Sequence, residues 1–215
     1  MQAQPETDPS SSQVQDQVWK FWKTQPVPEI NEDTNDAGED GLPIIPDKSK
    51  DQIKKIPYKL PEGFEWTIVD VTKEKELEEV YHLLNENYVE DEDAMFRFDY
   101  SRPFLKWALM PPDFDKSWHL GVRTKTNKLV AFISGIPVTV RFSETSKKTL
   151  AEINFLCVHK ILRKKRVAPV LIKEITRRIN LTGIFQVSFF LLKNSKEIFK
   201  SIFKYKSRTI ARFFI

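Results

Sequence analysis

The chain has 215 residues, of which 40% are hydrophobic and 12% aromatic, so it can bury a sizeable core as one large domain or two small ones. No apolar run reaches the length of about eighteen residues that a membrane span needs, and the N-terminus has neither the basic nor the apolar region of a secretory signal. A single cysteine and three scattered histidines offer neither a disulfide nor metal-ligand spacing, which predicts a cytoplasmic protein without a metal site.

The net charge of +4 is distributed unevenly along the chain. Residues 1–50 hold four lysines and ten acidic residues, whereas residues 187–215 hold seven basic residues and one glutamate. Residues 51–186, with 23 basic and 19 acidic residues, are closer to balance. Because the two ends deviate most, the overall basic charge says little about the partners of the central part.

The first 50 residues differ in composition from the rest. Residues 1–17 are rich in Gln, Ser, Pro and acidic side chains and have little to bury, so we expect them to be disordered. Residues 18–50 begin with aromatics, continue through two prolines and end as an acidic linker. This pattern favours an extended arm whose aromatics dock on the main body, the alternative being a local hydrophobic contact.

Hydrophobic periodicity predicts a globular domain over residues 51–186. Alternating and β-branched runs predict strands at 64–71, 118–123, 129–137, 138–142 and 150–158. Apolar residues three and four apart predict helices at 73–87, 101–109 and, beginning with Pro169, 169–180. The order of these elements is typical of an α/β domain with a mostly antiparallel sheet.

The segment after the last of these strands is the most informative. It contains four consecutive cations, Arg163 to Arg166, and leads directly into the helix that begins near Pro169. Free backbone N–H groups, the helix dipole and cationic side chains would converge there, which predicts an anion site suited to a pyrophosphate. A nuclear-localisation or nucleic-acid patch is the alternative, but the segment lacks neighbouring aromatics for stacking on bases.

Three blocks of the sequence resemble the eukaryotic glycylpeptide N-myristoyltransferases, at residues 20–28, 85–100 and 152–178. The resemblance extends from Val18 to about Gln186 in the order of the family. It implies a GNAT-type acyl-CoA N-acyltransferase fold, in which helices flank a mixed, mostly antiparallel sheet. It also implies that myristoyl-CoA is the acyl-donor substrate, with no permanently bound cofactor, and that the acceptor is the N-terminal glycine of a peptide or protein.

The resemblance assigns acyl-CoA contacts to three segments. The arm that closes over the CoA would contain Lys20, Phe21 and Trp22. The thioester would be lined by Phe155, Leu156, Cys157 and Val158, with the backbone amides of Phe155 and Leu156 as a catalytic oxyanion hole. The CoA phosphates would be held by Arg163, Lys164, Arg166, Val167 and Ala168. Acyl transfer builds an oxyanion, and a splayed strand end can direct two backbone amides at it. Core packing alone would also explain why Phe155 and Leu156 have apolar side chains.

A run of carboxylates follows the helix predicted at 73–87. Such a run is usually a solvated surface. Together with nearby aromatics, and in view of the family resemblance, it is interpreted here as the mouth that receives the ammonium group and lysines of substrate peptides. The predicted peptide-binding residues are Tyr88, Val89, Glu90, Asp91, Asp93, Phe96, Phe98 and Tyr100.

The resemblance stops near Gln186, where the family continues into a second GNAT-like half. Residues 187–215 form a divergent basic and aromatic tail, so we expect a fold that is incomplete relative to the family and a truncated enzyme with little activity. The reason is that the family's proton acceptor is its own C-terminal carboxylate. A non-catalytic acyl-CoA- or peptide-binding fragment is the alternative.

Further expectations concern the tail and the partners. The β-prone run 184–192 can extend the sheet, and the basic tail is compatible with peripheral contact to anionic membranes. Nucleic acid is not expected as a partner, and the sequence does not determine the oligomeric state.

Overall fold

The computed structural model describes residues 47–88, 99–141, 147–184 and 187–189. The strands are β1 (Phe64–Ile68), β2 (His119–Thr124), β3 (Leu129–Arg141), β4 (Lys147–Val158) and β5 (Val187–Phe189). The α-helices are α1 (Glu74–Asn87), α2 (Arg102–Leu109) and α3 (Val167–Thr182), and short 3₁₀ helices lie at Lys50–Gln52, Lys116–Trp118 and Lys160–Lys165. Within the described ranges, no helix has both the length and the apolar character that crossing a membrane requires.

The strands form one mixed sheet in the order β1-β2-β3-β4-β5. The first four strands pair antiparallel with their sequence neighbours. The last strand instead runs parallel to β4, with Val187 opposite Ala151 and Phe189 opposite Ile153. The predicted mixed and mostly antiparallel sheet is thus confirmed, and the β-prone run 184–192 contributes its edge strand.

The segments predicted as separate strands at 129–137 and 138–142 are one continuous strand, so that prediction is wrong. Pro137 lies inside β3 opposite Ala151. The pairing of β2 with β3 ends at Ser134, so Pro137 has a described ladder partner on one side only. A proline is tolerated there because its missing N–H removes no bond on the unpaired side.

The helix boundaries follow local signals. The Ser101 hydroxyl accepts a hydrogen bond from the Phe104 N–H at 3.4 Å, which fixes the predicted start of α2. The third helix begins at Val167, two residues before Pro169, where the sequence predicted its start. Pro169 is tolerated inside the first turn because the N–H groups of that turn have no intrahelical partner. The helix ends at Thr182, and the residue that caps it, Gly183, has a φ of 99°, the left-handed conformation that glycine adopts readily.

The two faces of the sheet carry separate hydrophobic clusters. The α3 face is the cluster packed beneath α3, and its fully buried members include Leu120, Ile133, Leu171, Ile175 and Ile179. The α1/α2 face is the cluster beneath α1 and α2, and its buried members include Leu84, Leu105, Leu109, Phe132 and Phe155. Each face is therefore sealed by its own helical layer.

A segment that we call the strap, residues 48–60, runs along α3 from the C-terminal end of the helix towards its N-terminal end. The Lys50 ammonium donates to the Thr182 carbonyl at 3.4 Å, and the Arg177 guanidinium donates to the Lys54 carbonyl at 3.1 Å. Further along, the Tyr58 N–H donates to the Glu174 carboxylate at 3.0 Å. These contacts fix the strap antiparallel to α3 ahead of β1.

Candidate functional site

A β-bulge interrupts β4 at Phe155 and Leu156. Phe132 of β3 pairs with Cys157, whereas Ser134 pairs with Asn154, so Ile133 faces two residues of β4. Phe155 has a φ of 52°, a left-handed conformation that costs a bulky residue about 1–3 kcal/mol. Strain of this kind persists where the surrounding packing fixes the backbone.

The bulge changes which face of the sheet the β4 side chains enter. Before it, Ala151 and Ile153 pack on the α3 face. After it, Leu156 packs on that face, while Phe155 lies in the cluster of the α1/α2 face. Because side chains alternate strictly along a regular strand, the extra residue shifts the pattern by one position.

The two strands beside β4 pair with it over different described ranges. β3 pairs with β4 through Val158, and the described residues of β5 pair with Ala151 to Ile153. The splayed strand end at Phe155 and Leu156 that the sequence analysis expected stays a prediction. The Phe155 N–H donates to Asn154 Oδ1 at 2.8 Å. A group that competes for this amide must therefore displace the Asn154 side chain.

Tyr88 and Tyr100, both predicted in the peptide site, lie against the bulge. Their ring centroids are 6.1 and 5.6 Å from that of Phe155. Burial raises the pKa of Tyr88, and the nearby Tyr100 and Cys157 add to this shift, so Tyr88 is a neutral phenol at physiological pH. Burial also raises the pKa of Tyr100. The predicted peptide and thioester residues thus share one aromatic wall.

Cys157 follows the bulge as a buried thiol. It lies 3.6 Å from the Leu83 carbonyl, and burial raises its pKa to about 12, against an opposing effect of Arg163. A thiol with that pKa is almost entirely protonated near neutral pH and is a poor nucleophile. Cys157 can line the site but cannot supply a thiolate. Val158, also buried, ends the strand.

The cationic loop, residues 160–166, connects β4 to α3. Its first six residues form the 3₁₀ helix, and Arg166 has a left-handed φ of 54° immediately before Val167 starts α3. Arg163, Lys164 and Arg166 are exposed, Val167 is buried, and Ala168 packs partly against the α3 face. The structure thus brings the predicted phosphate-binding residues together at the start of a sixteen-residue helix, where an anion is favoured.

Asn87, at the end of α1, holds this loop in place. Its Oδ1 accepts from the Lys160 N–H at 3.1 Å, its carbonyl accepts from the Arg163 guanidinium at 2.6 Å, and its Nδ2 donates to the Leu83 carbonyl at 3.0 Å. The sequence analysis gave Asn87 no role, although it lies within one of the three blocks. Its importance comes from partners 73 and 76 residues away, which no local pattern reveals.

Several predicted site residues lie outside the described residues, as do the predicted disordered segment 1–17 and most of the arm, linker and tail. They are Lys20, Phe21, Trp22, Val89, Glu90, Asp91, Asp93, Phe96 and Phe98. Among the residues that the structure does describe, no cluster of three or more His, Cys, Asp or Glu side chains could hold a metal ion.

Comparison with known protein families identifies the domain. Residues 43–198 match the model of the myristoyl-CoA:protein N-myristoyltransferase N-terminal domain. The chain belongs to this family. The match continues past residue 186, where the sequence analysis placed the domain boundary, so that division of the chain stays a prediction.

Curated relatives agree with the assignment to the N-myristoyltransferase family. The chain is 56% identical over 171 residues to the glycylpeptide N-tetradecanoyltransferase of Dictyostelium discoideum, a match that covers 79% of this chain and 40% of that protein. It is 57% identical over 172 residues to glycylpeptide N-tetradecanoyltransferase 2 of Danio rerio, with 80% and 34% covered. The matched region therefore spans well under half the length of these relatives.

A solved structure of the family confirms the GNAT-type fold. The Saccharomyces cerevisiae N-myristoyltransferase with bound myristoyl-CoA superimposes with a TM-score of 0.70 at 51% identity. The match covers 81% of this chain and 41% of that one.

Proposed function

We propose that this chain takes part in transferring a myristoyl group from myristoyl-CoA to the N-terminal glycine of a protein. The described domain would bind the acyl-CoA and stabilise the oxyanion. The observation that carries this proposal is the bulge at Phe155 and Leu156, a few residues before the cationic loop and the start of α3. One strand end thus presents a distorted backbone beside an anion site.

The proposed acyl-CoA site follows the course of the chain. The phosphates bind Arg163, Lys164 and Arg166 and the first amides of α3, at Val167 and Ala168. From there the pantetheine arm runs back along β4. The interval from Val158 to Phe155 spans about 10 Å of extended chain, so the thioester reaches the bulge without leaving the strand.

The proposed chemistry is nucleophilic acyl substitution. The glycine amine attacks the thioester carbonyl carbon, a C–N bond forms, and the carbonyl oxygen gains the negative charge. The backbone N–H groups of Phe155 and Leu156 stabilise that oxyanion, and the Asn154 side chain turns away from the Phe155 amide as it does so. Collapse of the intermediate breaks the C–S bond, the nitrogen loses its extra proton as the amide forms, and the CoA thiolate that leaves can take up that proton.

The glycine ammonium must lose a proton before it attacks. Cys157 is unsuited to accept that proton, because its thiol is buried and its pKa of about 12 keeps it protonated. The family resemblance assigns the acceptor to the C-terminal carboxylate, which belongs to the half of the relatives outside the matched region. We therefore propose that the described domain supplies acyl-CoA binding and oxyanion stabilisation, while the proton acceptor lies outside it.

The peptide side of the site rests on Tyr88 and Tyr100, whose rings lie against Phe155. We propose that Glu90, Asp91 and Asp93 attract lysines of the substrate. Neutralising all three should then weaken the binding of a lysine-containing glycine peptide more than that of a neutral one, and high salt should reduce the difference. Equal effects on both peptides would make the run a solvated surface.

The test of the acyl-CoA site is calorimetric titration with myristoyl-CoA. Arg166→Ala is the cleanest variant, because Arg163 also holds the Asn87 carbonyl. A charge-assisted phosphate contact contributes about 1.5–3 kcal/mol, so affinity should fall about tenfold to a hundredfold. The matched control is Lys128→Ala, in the exposed turn before β3. Unchanged CoA affinity together with lost RNA binding would contradict the proposal.

A transfer assay with a glycine-starting peptide separates the two functions considered from the sequence. Formation of the myristoylated peptide supports the transferase. Tight myristoyl-CoA binding without turnover, in the presence of the peptide, would instead favour a non-catalytic acyl-CoA-binding role. The cytoplasm remains the predicted location.

A further inference from the structure

The strap and the cationic loop both border α3, the strap along its length and the loop at its N-terminal end. The strap is fixed along α3 by Glu174 and Arg177, and the loop leads into α3 through Arg166. Lys165 of the loop lies over the ring of Phe64, at 5.3 Å, just beyond the strap. We call the strap and the cationic loop together the basic face.

The basic face carries a dense positive charge. The strap holds five lysines and one aspartate, and the cationic loop holds five cations and no acidic residue. Glu174, between the two segments, is fully buried and takes hydrogen bonds from Arg177 and Arg178, so its charge is compensated internally. Within the described part of the chain, no carboxylate forms an ion pair with Lys164, Lys165 or Arg166.

Two isoleucines project from this charged surface. Ile56 in the strap is 72% exposed, and Ile161 in the loop is 80% exposed. Their apolar neighbours Ile53 and Leu162 are buried, at 8% and 7% exposed, so each segment turns one aliphatic side chain inward and another outward. A single exposed isoleucine is ordinary, but two that each lie in a lysine-rich stretch of sequence form an amphipathic pattern.

We propose that the basic face binds the surface of anionic phospholipid bilayers. The lysines would interact with the headgroups, while Ile56 and Ile161 would enter the boundary between headgroups and acyl chains. This interaction goes beyond the proposed transfer reaction, and its test uses strap lysines that lie outside the proposed CoA site. It would hold the acyl-CoA side of the domain next to the membrane.

The structure favours a lipid surface over RNA as the polyanion. Proteins that bind single-stranded RNA offer aromatic rings on which bases stack. Here the rings beside the basic face are covered by cations, with Lys54 over Tyr58 at 4.4 Å and Lys165 over Phe64 at 5.3 Å. What remains exposed between the lysines is aliphatic, which bases do not recognise.

The first experiment is flotation with phosphatidylcholine vesicles, with or without phosphatidylserine. We expect the chain to bind only the vesicles that contain phosphatidylserine, and to bind them less well as salt increases. The double variant Ile56→Ser/Ile161→Ser should weaken binding about tenfold or more, because the aliphatic contribution is lost. Ile68→Ser, on the edge strand β1, is the matched apolar control and should bind like the original chain.

The second pair of variants tests charge. Lys55→Glu/Lys59→Glu reverses two lysines of the strap that lie outside the proposed CoA site, and it should also weaken vesicle binding at least tenfold, since each lysine near the membrane contributes about fivefold. Lys125→Glu/Lys128→Glu changes the charge by the same amount at the exposed turn before β3 and should leave binding unchanged.

Site-directed labelling gives a readout that does not depend on affinity. Because Cys157 is buried, a polarity-sensitive fluorophore can be attached selectively to Ile161→Cys, with Lys125→Cys as the control site. Vesicles containing phosphatidylserine should shift the emission to the blue at residue 161 and not at residue 125.

The proposal is overturned if vesicle binding is insensitive to the isoleucine and lysine variants, or if the fluorophore at residue 161 stays in a polar environment on bound vesicles. It is also overturned if poly(U) RNA binds more tightly than the vesicles and the isoleucine variants leave that binding unchanged.

Discussion

The α3 face and the α1/α2 face of the sheet contain different kinds of buried polar group. The α3 face contains Glu174, which is fully buried and ionised, and which receives hydrogen bonds from Arg177 at 2.7 Å, Arg178 at 2.8 Å and the Tyr58 N–H at 3.0 Å. Burial opposes ionisation, but the hydrogen bonds from Arg177, Tyr58 and Arg178 outweigh it and hold the pKa of Glu174 below its ordinary value.

The α1/α2 face uses neutral polar groups instead. His119 is fully buried, stacks on Phe114 with centroids 5.6 Å apart, and burial lowers its pKa to about 4. Asn87, buried at the end of α1, supplies neutral hydrogen bonds to the cationic loop. The comparison teaches that one face depends on a charge being present and the other on a charge being absent. The two faces should therefore respond differently to mutation and to pH.

The largest effect is expected on the α3 face. Glu174→Gln leaves Arg177 buried without its counter-charge, and breaking a buried ion pair by removing one partner costs about 3–5 kcal/mol. Urea denaturation should show this loss in the free energy of unfolding. The control is Glu78→Gln, which removes an exposed partner of Arg102 and should cost less than about 1 kcal/mol. Equal losses for the two variants would contradict the distinction between buried and exposed pairs.

The second effect is a pH dependence that comes from the α1/α2 face. The pKa of His119 is about 4 in the folded chain, against an ordinary value of 6.5, so the unfolded chain takes up the proton first as the pH falls. Its contribution to stability is complete above pH 6.5 and is lost progressively as the pH falls towards 4. The full difference amounts to about 3 kcal/mol.

His119→Phe tests this assignment, because phenylalanine keeps a ring against Phe114 and has no proton to bind. Between pH 6.5 and 4, the free energy of unfolding of this variant should depend less steeply on pH, by up to one proton. His82→Gln, at an exposed position of α1, is the control for replacing a histidine. If His119→Phe keeps the slope of the original chain, the pH dependence has another source.

A smaller effect should connect the α1/α2 face to the proposed acyl-CoA site. Asn87→Leu keeps the approximate size of the side chain but removes its bonds to the Lys160 N–H and the Leu83 carbonyl. We expect myristoyl-CoA affinity to fall about tenfold, since one neutral hydrogen bond contributes about 1 kcal/mol and the loop loses its anchor. Asn85→Ala, on the same helix but facing Tyr81 and Asp99, is the control for calorimetric titration. Equal affinities for the two variants would exclude an anchoring role for Asn87.

The smallest effect concerns the start of α2. Ser101→Ala removes the cap on the Phe104 N–H, a long bond at an exposed position, and should lower the free energy of unfolding by about 0.5 kcal/mol. Ser101→Asp should restore the stability, because aspartate caps equally well and its charge is favourable at a helix N-terminus. Thermal unfolding of both variants shows whether the Ser101 side chain stabilises α2 as an N-terminal cap.

The predicted helices and most strands agree with the structure because their signals are local. Ser101 and Pro103 mark the start of α2, and the apolar spacing within α1 predicts the face that it buries. The prediction fails at Pro137, where a proline that ordinarily ends a strand lies inside β3. Whether a proline is tolerated there depends on where β2 stops, which is a property of the neighbouring strand rather than of the local sequence.

The sequence by itself determined the family through its three blocks, the order of the elements, and the cationic loop before α3. The tertiary structure decided which distant groups hold the strap and the cationic loop in place. The Tyr58 N–H reaches Glu174 across 116 residues of sequence, and Asn87 reaches Lys160 across 73. Neither pairing has a local signature, because a buried hydrogen bond depends on how layers pack rather than on neighbouring residues. The exposure of both Ile56 and Ile161 likewise became visible only in the tertiary structure.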